Sequence, residues 1–304
     1  MVLSLDNKVL CRRKGKMKTG LVLEGGAMRG LFSAGIMDVM MEAGITPDGI
    51  IGVSAGAAFG CNYKSGQAGR AIRYNKRFAK DRRYCSLWSL WRSGDLFNAE
   101  FAYHIVPEKY DKFDNERFEK SPIEYYVVCT DVVTGKPVYK QLQRGGHEAY
   151  DWIRASASMP VASRVVEIDG MKLLDGGMSD SIPLAYFQSI GYERNMVILT
   201  QPIDYVKTPN RLMPLIRRSL RHYPNIITTM EHRHEMYNAQ LAFIKKEVER
   251  GNTLAIYPKE KLPIGHISHK PEEMQRVYDI GRETGKGYLE EIVRFFDNPF
   301  QQTK

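Results

Sequence analysis

Residues 50–60 read IIGVSAGAAFG, and the rest of the chain is best interpreted outward from this stretch. An apolar run ends at Val53, Ser54 follows it, and small residues continue to Gly60. A sharp turn from a strand into a helix exposes a serine at its apex, where small neighbours let a substrate approach the hydroxyl. The stretch therefore favours a nucleophilic Ser54, although a plain close contact between a strand and a helix would use the same residues.

Short apolar runs alternate with helical patterns in the first part of the chain. Residues 20–24 and 49–53 have strand length, and each is followed by a helical pattern, over residues 31–41 and 54–63. This alternation indicates a parallel sheet with right-handed crossovers. Further strands are predicted at residues 125–130, 165–168, 171–174 and 196–200, with Asp169-Gly170 as the hairpin turn of the middle pair.

The pattern changes after Pro202. The remaining chain carries helical patterns at residues 211–222, 226–250 and 271–296, and one strand pattern at residues 253–257. We expect a catalytic core over residues 17–205 and a mostly helical C-terminal region, residues 206–304, packed on it. Residues 1–16 hold five Lys or Arg against one Asp and form a basic leader that need not be structured.

A glycine-rich loop, EGGAMRG at residues 24–30, lies between the first predicted strand and helix. Backbone N–H groups in such a loop, with the following helix N-terminus, form a cradle for an anion. One candidate anion is a nucleotide pyrophosphate, because the spacing of Gly25, Ala27 and Gly30 is close to the dinucleotide fingerprint. The other is the oxyanion of an acyl-transfer intermediate. The serine turn after the second strand favours the oxyanion.

Four sequence blocks together resemble the patatin-like phospholipase family. They are LVLEGGAMRG at residues 21–30, GVSAG at 52–56, ASASMP at 155–160 and LLDGGMSDSIPL at 173–184. Their order and spacing are similar to the family pattern across roughly residues 18–205. The resemblance implies a three-layer α/β/α fold with a mostly parallel central sheet. The largely helical C-terminal region resembles the extension of a bacterial subgroup of the family.

The resemblance also implies the roles of individual residues. Ser54 corresponds to the nucleophile and Asp175 to its partner in a Ser–Asp dyad, without a histidine or a metal ion. The family's oxyanion hole is formed by backbone N–H groups, here those of Gly25, Gly26 and Ala27, with Met28, Arg29 and Gly30 in support. Ala27 departs from the family pattern, which usually has a third glycine at this position, and a left-handed backbone there would carry strain.

Two alternatives for the catalytic base stay open at this point. Asp175-Gly176-Gly177 is also ordinary turn chemistry. A Ser, acid, His triad would also fit the chain order, because five histidines follow Asp175: His222, His232, His234, His266 and His269. The run EHRHE at residues 231–235 does not predict a metal site, because residues two apart on a helix point in different directions.

These observations predict a serine lipid acyl hydrolase, a phospholipase A or lysophospholipase-like esterase, that forms an acyl-enzyme on Ser54 and needs no cofactor. The alternative is a lipid- or acyl-binding protein that has kept the scaffold and lost most of its turnover. A nucleotide-binding enzyme that uses the glycine loop is a more distant alternative.

The charge pattern suggests a lipid surface as a partner. The chain has a formal net charge of +9, and residues 70–92 hold eight basic residues against one acidic residue, interleaved with aromatic ones. Residues 211–221 form a second basic, amphipathic stretch. Both suit transient binding to an anionic membrane, although a helix with a buried aromatic face explains residues 70–92 equally well.

Composition bounds the remaining expectations. No apolar run reaches the roughly 18 residues of a membrane span, so we expect a cytoplasmic protein that is at most peripheral to the membrane. The four cysteines have neither metal-site spacing nor a disulfide pattern, which suggests free thiols. We expect no nucleic-acid partner, and no sequence pattern specifies an oligomeric state.

Overall fold

The central sheet is described by a computed structural model of residues 17–81, 83, 98 and 100–297. Within these residues the sheet has eight strands. They are β1 (Lys18–Leu23), β2 (Gly49–Val53), β3 (Glu124–Asp131), β4 (Pro137–Gln141), β5 (Val166–Ile168), β6 (Met171–Asp175), β7 (Tyr192–Ile198) and β8 (Thr253–Ile256).

Helices connect and cover the strands. They are α1 (Gly30–Glu42), α2 (Ala55–Lys64), α3 (Arg70–Phe78), α4 (Asn115–Lys120), α5 (His147–Ser156), α6 (Leu184–Ser189), α7 (Met213–Ser219), α8 (Pro224–Glu231), α9 (Arg233–Glu249), α10 (Pro271–Gly287) and α11 (Leu289–Asp297). A π-helix spans Glu100–Tyr110, and short 3₁₀ helices span Ala27–Arg29 and Gly176–Met178.

The sheet is mostly parallel, as predicted. Its strand order is β5-β6-β3-β2-β1-β7-β8, and β4 pairs with β3 outside this path. β1 pairs in parallel with β2 and β7, β2 with β3, and β7 with β8. The antiparallel pairs are β3 with β4, β3 with β6, and the predicted hairpin of β5 with β6. The sequence patterns did not predict β4, because its five residues are all half-buried and carry no clear alternation.

Successive residues of β1 pack on opposite faces of the sheet, as the pleat of a strand requires. Leu21 and Leu23 belong to a large core that includes side chains of α1, α2, α5 and α10. Val22 belongs to a second core on the other face, formed with side chains of α6 and α9. Helices therefore cover both faces of the sheet, which confirms the three-layer α/β/α arrangement.

The C-terminal region is interleaved with the sheet. β8 adds a parallel strand beside β7, and α10 packs along α1, where the Tyr278 hydroxyl donates a 2.6 Å hydrogen bond to Asp38. The helical pattern predicted over residues 226–250 is two helices, α8 and α9, separated at His232. The division of the chain at residue 205 stays a prediction.

The described part of residues 70–92 buries its aromatic side chains. Tyr74 and Phe78 of α3 are buried, and the Arg73 guanidinium binds the Asp111 carboxylate at 2.7 Å. Tyr84, Trp88 and Trp91 lie outside the described residues. The lipid-binding surface predicted for this stretch stays a prediction, and α3 itself is a helix with a buried aromatic face.

None of the helices in the described residues is both long and apolar enough to span a membrane. Cys61 and Cys129 are free and buried, while Cys11 and Cys85 lie outside the described residues.

Candidate active site

Ser54 occupies a strained turn between β2 and α2. Its φ and ψ are 55° and −121°, a conformation that costs a non-glycine residue free energy and occurs preferentially at functional sites. The Ser54 N–H donates a 2.9 Å hydrogen bond to the Ser156 hydroxyl, which holds the turn. Gly56 is needed because a Cβ atom there would collide with the Leu23 carbonyl oxygen. This is the sharp strand-to-helix turn that the sequence predicted.

The pairing of β3 explains why Ser54 and Asp175 meet. β4 covers one edge of β3, so β2 and β6 share the other edge, one after the other. Val53 is in register with Val128, and Asp175 is in register with the next residue, Cys129. Because β2 runs parallel and β6 antiparallel to β3, their C-terminal ends point at each other. The residues that end the two strands are therefore adjacent in space although far apart in sequence.

Asp175 is held in a desolvated position. Its side chain is 6% exposed and accepts a 2.7 Å hydrogen bond from the Gly177 N–H. Its backbone N–H donates to the Ser158 carbonyl at 2.8 Å. Burial raises the pKa of the carboxyl above its ordinary value, while hydrogen bonding by the Ser54 hydroxyl and the nearby Arg233 charge act in the opposite direction. The structure thus places Ser54 and Asp175 at adjacent strand ends, and both line the same cavity.

The glycine loop lies directly against Ser54. A Cβ atom on Gly25 would approach the Ser54 Cβ to 2.9 Å, so only glycine allows this approach. Ala27 has a φ of 50°, the left-handed conformation for which the missing glycine would be better suited. Met28 lies buried behind the loop, and Gly30 begins α1. Among the described residues, the backbone N–H groups of residues 25–27 have no hydrogen-bond acceptor.

The loop is anchored at Glu24. Its buried carboxylate accepts hydrogen bonds from the Thr200 N–H at 2.5 Å and from the Tyr237 hydroxyl at 2.7 Å. Burial raises the pKa of this carboxyl. Because Tyr237 belongs to α9, the C-terminal region helps to hold the glycine loop.

His266 lies in the site but is engaged by Arg29. The Arg29 Nη1 atom is 3.1 Å from the His266 Nε2 atom. A guanidinium only donates, so this Nε2 accepts, and the imidazole proton resides on Nδ1. Burial and the nearby positive charges lower the pKa of His266, which favours the neutral ring. The lone pair that a general base would use is therefore already occupied.

The other four late histidines make contacts elsewhere, His234 with Glu235 at 3.8 Å. His222 accepts from Arg221, His232 contacts Glu235, and His269 contacts the Ala79 carbonyl. Within the part of the chain that the structure describes, no group of three or more His, Cys, Asp or Glu residues is arranged to hold a metal ion.

Two cavities meet at Ser54. The first has a volume of about 230 Å³ and a mainly apolar lining from α2, the π-helix and α5, with Phe59, Val106 and Ile153 among its residues. The second has a volume of about 130 Å³ and lies between the glycine loop and the C-terminal region, with Lys207, Arg233 and Tyr237 in its wall. Ser54 therefore lies where an apolar cavity joins a cavity lined by cationic side chains.

Some site residues carry no motif that sequence reasoning could have used. The C-terminal region supplies four of them, each a single charged or aromatic residue within a helical pattern or a loop: Lys207, Arg233, Tyr237 and His266. In the sequence, His266 is only one of five histidines that could serve as an alternative base. The one available signal was the presence of glycine and proline around it, typical of an ordered loop.

Fold and site together define a three-layer α/β/α protein with a serine at a sharp strand-to-helix turn, and comparison with known proteins identifies its family. The model of the patatin-like phospholipase family matches residues 21–187, and the chain belongs to that family. Lipid hydrolysis is the activity class at the level of the family. A second model, for a domain of unknown function (DUF6363), matches residues 223–297.

Several relatives align with nearly the whole chain. The uncharacterized protein YjjU of Escherichia coli K12 is 27% identical over 285 residues, covering 90% of this chain and 77% of that protein. Lysophospholipase nte1 of Aspergillus terreus is 26% identical over 313 residues, covering 93% of this chain. This chain spans only 19% of the length of that fungal relative. The solved structure of VipD from Legionella pneumophila superposes with a TM-score of 0.44 and 12% identity, over 91% of this chain and 67% of VipD.

Proposed function

We propose that the protein is a serine hydrolase of lipid acyl esters, of the phospholipase A or lysophospholipase type, with Ser54 as nucleophile and Asp175 as general base. The adjacency of the strained Ser54 and the buried Asp175, which line the second cavity together where it joins the first, carries this proposal. The family match and the lysophospholipase name of a relative support the choice of lipid esters.

In the first step the Ser54 Oγ attacks the acyl carbonyl carbon while its proton passes to the Asp175 carboxylate. A carboxylate of ordinary pKa is a weak base for a hydroxyl, and burial makes Asp175 a stronger one by raising its pKa. The Gly177 N–H bond to Oδ1 fixes the orientation of the carboxylate. The positive charge of Arg233 keeps enough of the carboxyl ionised for the step.

The carbonyl oxygen becomes an oxyanion as the new C–O bond forms. The backbone N–H groups of Gly25, Gly26 and Ala27 are free to donate to it, and Gly25 lies against Ser54. Donors that are already oriented before the reaction stabilise such charge most effectively.

Collapse of the intermediate breaks the bond to the alcohol, which takes the proton from Asp175 and leaves. The acyl group stays on Ser54. A water molecule then attacks the acyl-enzyme, Asp175 accepts its proton, and the second collapse returns that proton to Ser54 with release of the fatty acid. Protons and electron pairs balance over the two steps without a further co-reactant.

A fluorophosphonate probe tests the nucleophile. We expect the native protein to be labelled and to hydrolyse acyl esters, and Ser54→Ala to do neither. Ser181→Ala provides a matched control, since this buried serine of the second cavity makes its own bond to the Gly177 carbonyl. Native protein that resists the probe and leaves both short and long esters intact would instead be a lipid-binding protein on this scaffold.

We further propose that residues 211–221 hold the protein on an anionic phospholipid surface. Leu212 and Leu215 are 58% and 47% exposed, and exposed arginines, among them Arg211 and Arg218, surround them. Leu212 also lines the second cavity, so this surface adjoins a cavity mouth. Apolar and basic side chains together suit an anionic interface.

Vesicle sedimentation tests this surface. We expect the protein to sediment with anionic vesicles at low salt, and the double variant Leu212→Ser/Leu215→Ser to remain in the supernatant. Val248→Ser, at an exposed apolar residue of α9, serves as the control. Equal sedimentation of all three proteins would exclude residues 211–221 as the contact.

A further inference from the structure

The second cavity concentrates positive charge next to Ser54. Arg29, Lys207 and Arg233 line it, and its only carboxylates are Glu24 and Asp175 among the residues that the structure describes. We infer that this cavity binds the phosphate of the leaving alcohol, and that Lys207 is the residue that selects acyl esters with a net anionic head group. The inference rests on the proposed hydrolase function, because it assigns the leaving group to this side of Ser54.

The two cavities fix the orientation of the ester. They share Ala27, Ser54, Met159 and His266, so they join at the reacting serine. The apolar cavity suits an acyl chain, whose burial is favourable along its whole length. The alcohol side must then enter the second cavity, where it meets the cations. A phosphate is the group of a lipid alcohol that these side chains would bind.

Lys207 is held in place before any ligand binds. Its backbone N–H donates to the Asn238 side chain at 2.8 Å, and its carbonyl accepts from the same side chain at 3.0 Å. Its Nζ lies 4.5 Å from the centre of the Tyr237 ring. The ammonium group is partly desolvated, and within the described residues no carboxylate lies within 4 Å of it. A partly desolvated charge without a direct ion-pair partner costs free energy, which a bound anion would recover.

The two arginines complete the anion site. The Nε atom of Arg29 is buried and has no hydrogen-bond partner in the described structure. Arg233 donates from Nε to the Gly177 carbonyl at 2.5 Å. Neither forms an ion pair with a carboxylate of the described residues. Guanidinium groups suit phosphate oxygens particularly well because they donate from several N–H groups in one plane.

This cation set discriminates between phospholipid head groups. A choline or ethanolamine group would bring a positive charge into a cavity that already holds Arg29, Lys207 and Arg233. Glu24 and Asp175 are buried and their hydrogen-bonding capacity is used by Tyr237, Thr200, Ser54 and Gly177, so they offer little to such a cation. We therefore expect a phosphate without a compensating cation to be preferred.

A selectivity ratio tests the role of Lys207. The native enzyme and Lys207→Gln are compared on palmitoyl lysophosphatidylglycerol, palmitoyl lysophosphatidylcholine and monopalmitoylglycerol in micelles of one neutral detergent. We expect the kcat/KM ratio of the anionic to the neutral ester to fall about tenfold in Lys207→Gln, mainly through KM. Lys245→Gln is the control for loss of one positive charge, since Lys245 pairs with Asp204 on the surface. An unchanged ratio in Lys207→Gln, or an equal fall in Lys245→Gln, would overturn the inference.

A binding measurement separates this inference from the hydrolase proposal. On Ser54→Ala protein we expect glycerophosphate to bind and glycerol not to bind, and Lys207→Gln in the same background to weaken glycerophosphate binding about tenfold. If Lys207→Gln weakens glycerophosphate binding but the native protein hydrolyses no ester, the anion site is supported and the hydrolase proposal is rejected. If the native protein hydrolyses esters and Lys207→Gln changes neither selectivity nor binding, the hydrolase proposal is supported and the anion site is rejected. Inorganic phosphate that binds as tightly as glycerophosphate would assign the site to free phosphate and overturn the head-group assignment.

Discussion

The two cavities that meet at Ser54 are built in different ways. The apolar cavity comes almost entirely from the part of the chain that matches the family, through α2, the π-helix and α5. The second cavity has one wall from the glycine loop and the other from the C-terminal region, including Lys207 and Arg233. Under the proposed function, the acyl chain would be bound by the part of the chain that matches the family, and the head group by residues of the C-terminal region.

The largest effect is expected from substitution of Asp175, because every ester needs the general base whichever groups occupy the two cavities. Asp175→Asn keeps the size of the side chain but cannot accept the Ser54 proton, so we expect kcat to fall by about 10³-fold or more on every ester. The measurement is steady-state hydrolysis of a short and a long ester. In the native enzyme, activity should be lost as the pH falls through the raised pKa of Asp175, above the ordinary carboxylate value of 3.8. Full activity of Asp175→Asn, with loss in His266→Gln, would replace the dyad by a triad.

A substitution that fills the apolar cavity should lower kcat/KM only on esters with long acyl chains. Ala102 lies on the π-helix and lines this cavity, so Ala102→Phe fills space that a long acyl chain would use. Displacing about two methylene groups costs roughly 1.6 kcal/mol, so we expect kcat/KM on palmitoyl esters to fall about tenfold and on butyryl esters to change little. Ala242→Phe makes the same change at an exposed position of α9. Equal losses on both chain lengths would mean that the cavity does not hold the chain.

The anion selectivity of the second cavity should be lost as the pH rises, whereas the activity that depends on Asp175 should be lost as the pH falls. Burial and the neighbouring arginines lower the pKa of Lys207 to about 8, so its charge is present below that pH and is lost above it. We therefore expect the preference for an anionic ester over a neutral one to decline several-fold between about pH 7 and pH 9. The other charged or titratable groups around Lys207 are Glu24, Arg29, Tyr205, Arg233, Tyr237 and His266.

The measurement is the ratio of kcat/KM on the anionic ester to kcat/KM on the neutral ester across this pH range. The titration of groups that affect both esters equally cancels in this ratio. Lys207→Gln should have a flat ratio. A ratio that declines equally in Lys207→Gln would assign the titration to another group.

The smallest effect is expected at Ala27, which belongs to both cavities. Ala27→Gly relieves about 1 kcal/mol of left-handed strain but adds a similar cost in chain entropy, so we expect a free energy of unfolding within about 0.5 kcal/mol of the native value. Ala242→Gly, at an exposed position in the middle of α9, should lower the free energy of unfolding by about 1 kcal/mol. Denaturant unfolding compares the two. An equal loss in both variants would show that Ala27 carries no strain.

Sequence patterns predicted the structure correctly wherever it depends on residues that are close together along the chain. The turn at Ser54, the hairpin at Asp169-Gly170 and the alternation of strands and helices follow from local sterics and periodicity, and all are present. The strand β4 and the break at His232 were missed, because an edge strand and a helix junction depend on contacts with other elements.

The sequence by itself determined the family and the α/β fold, and it predicted Ser54 and Asp175 as the catalytic pair. Only the tertiary structure decided that Lys207, Arg233, Tyr237 and His266 surround the serine from the C-terminal side. The physical reason is that their positions depend on how β8, α9 and α10 pack against the sheet, which no spacing along the chain encodes. Ser54 and Asp175 meet because two strands end on one edge of β3, and that register is likewise a property of the folded sheet.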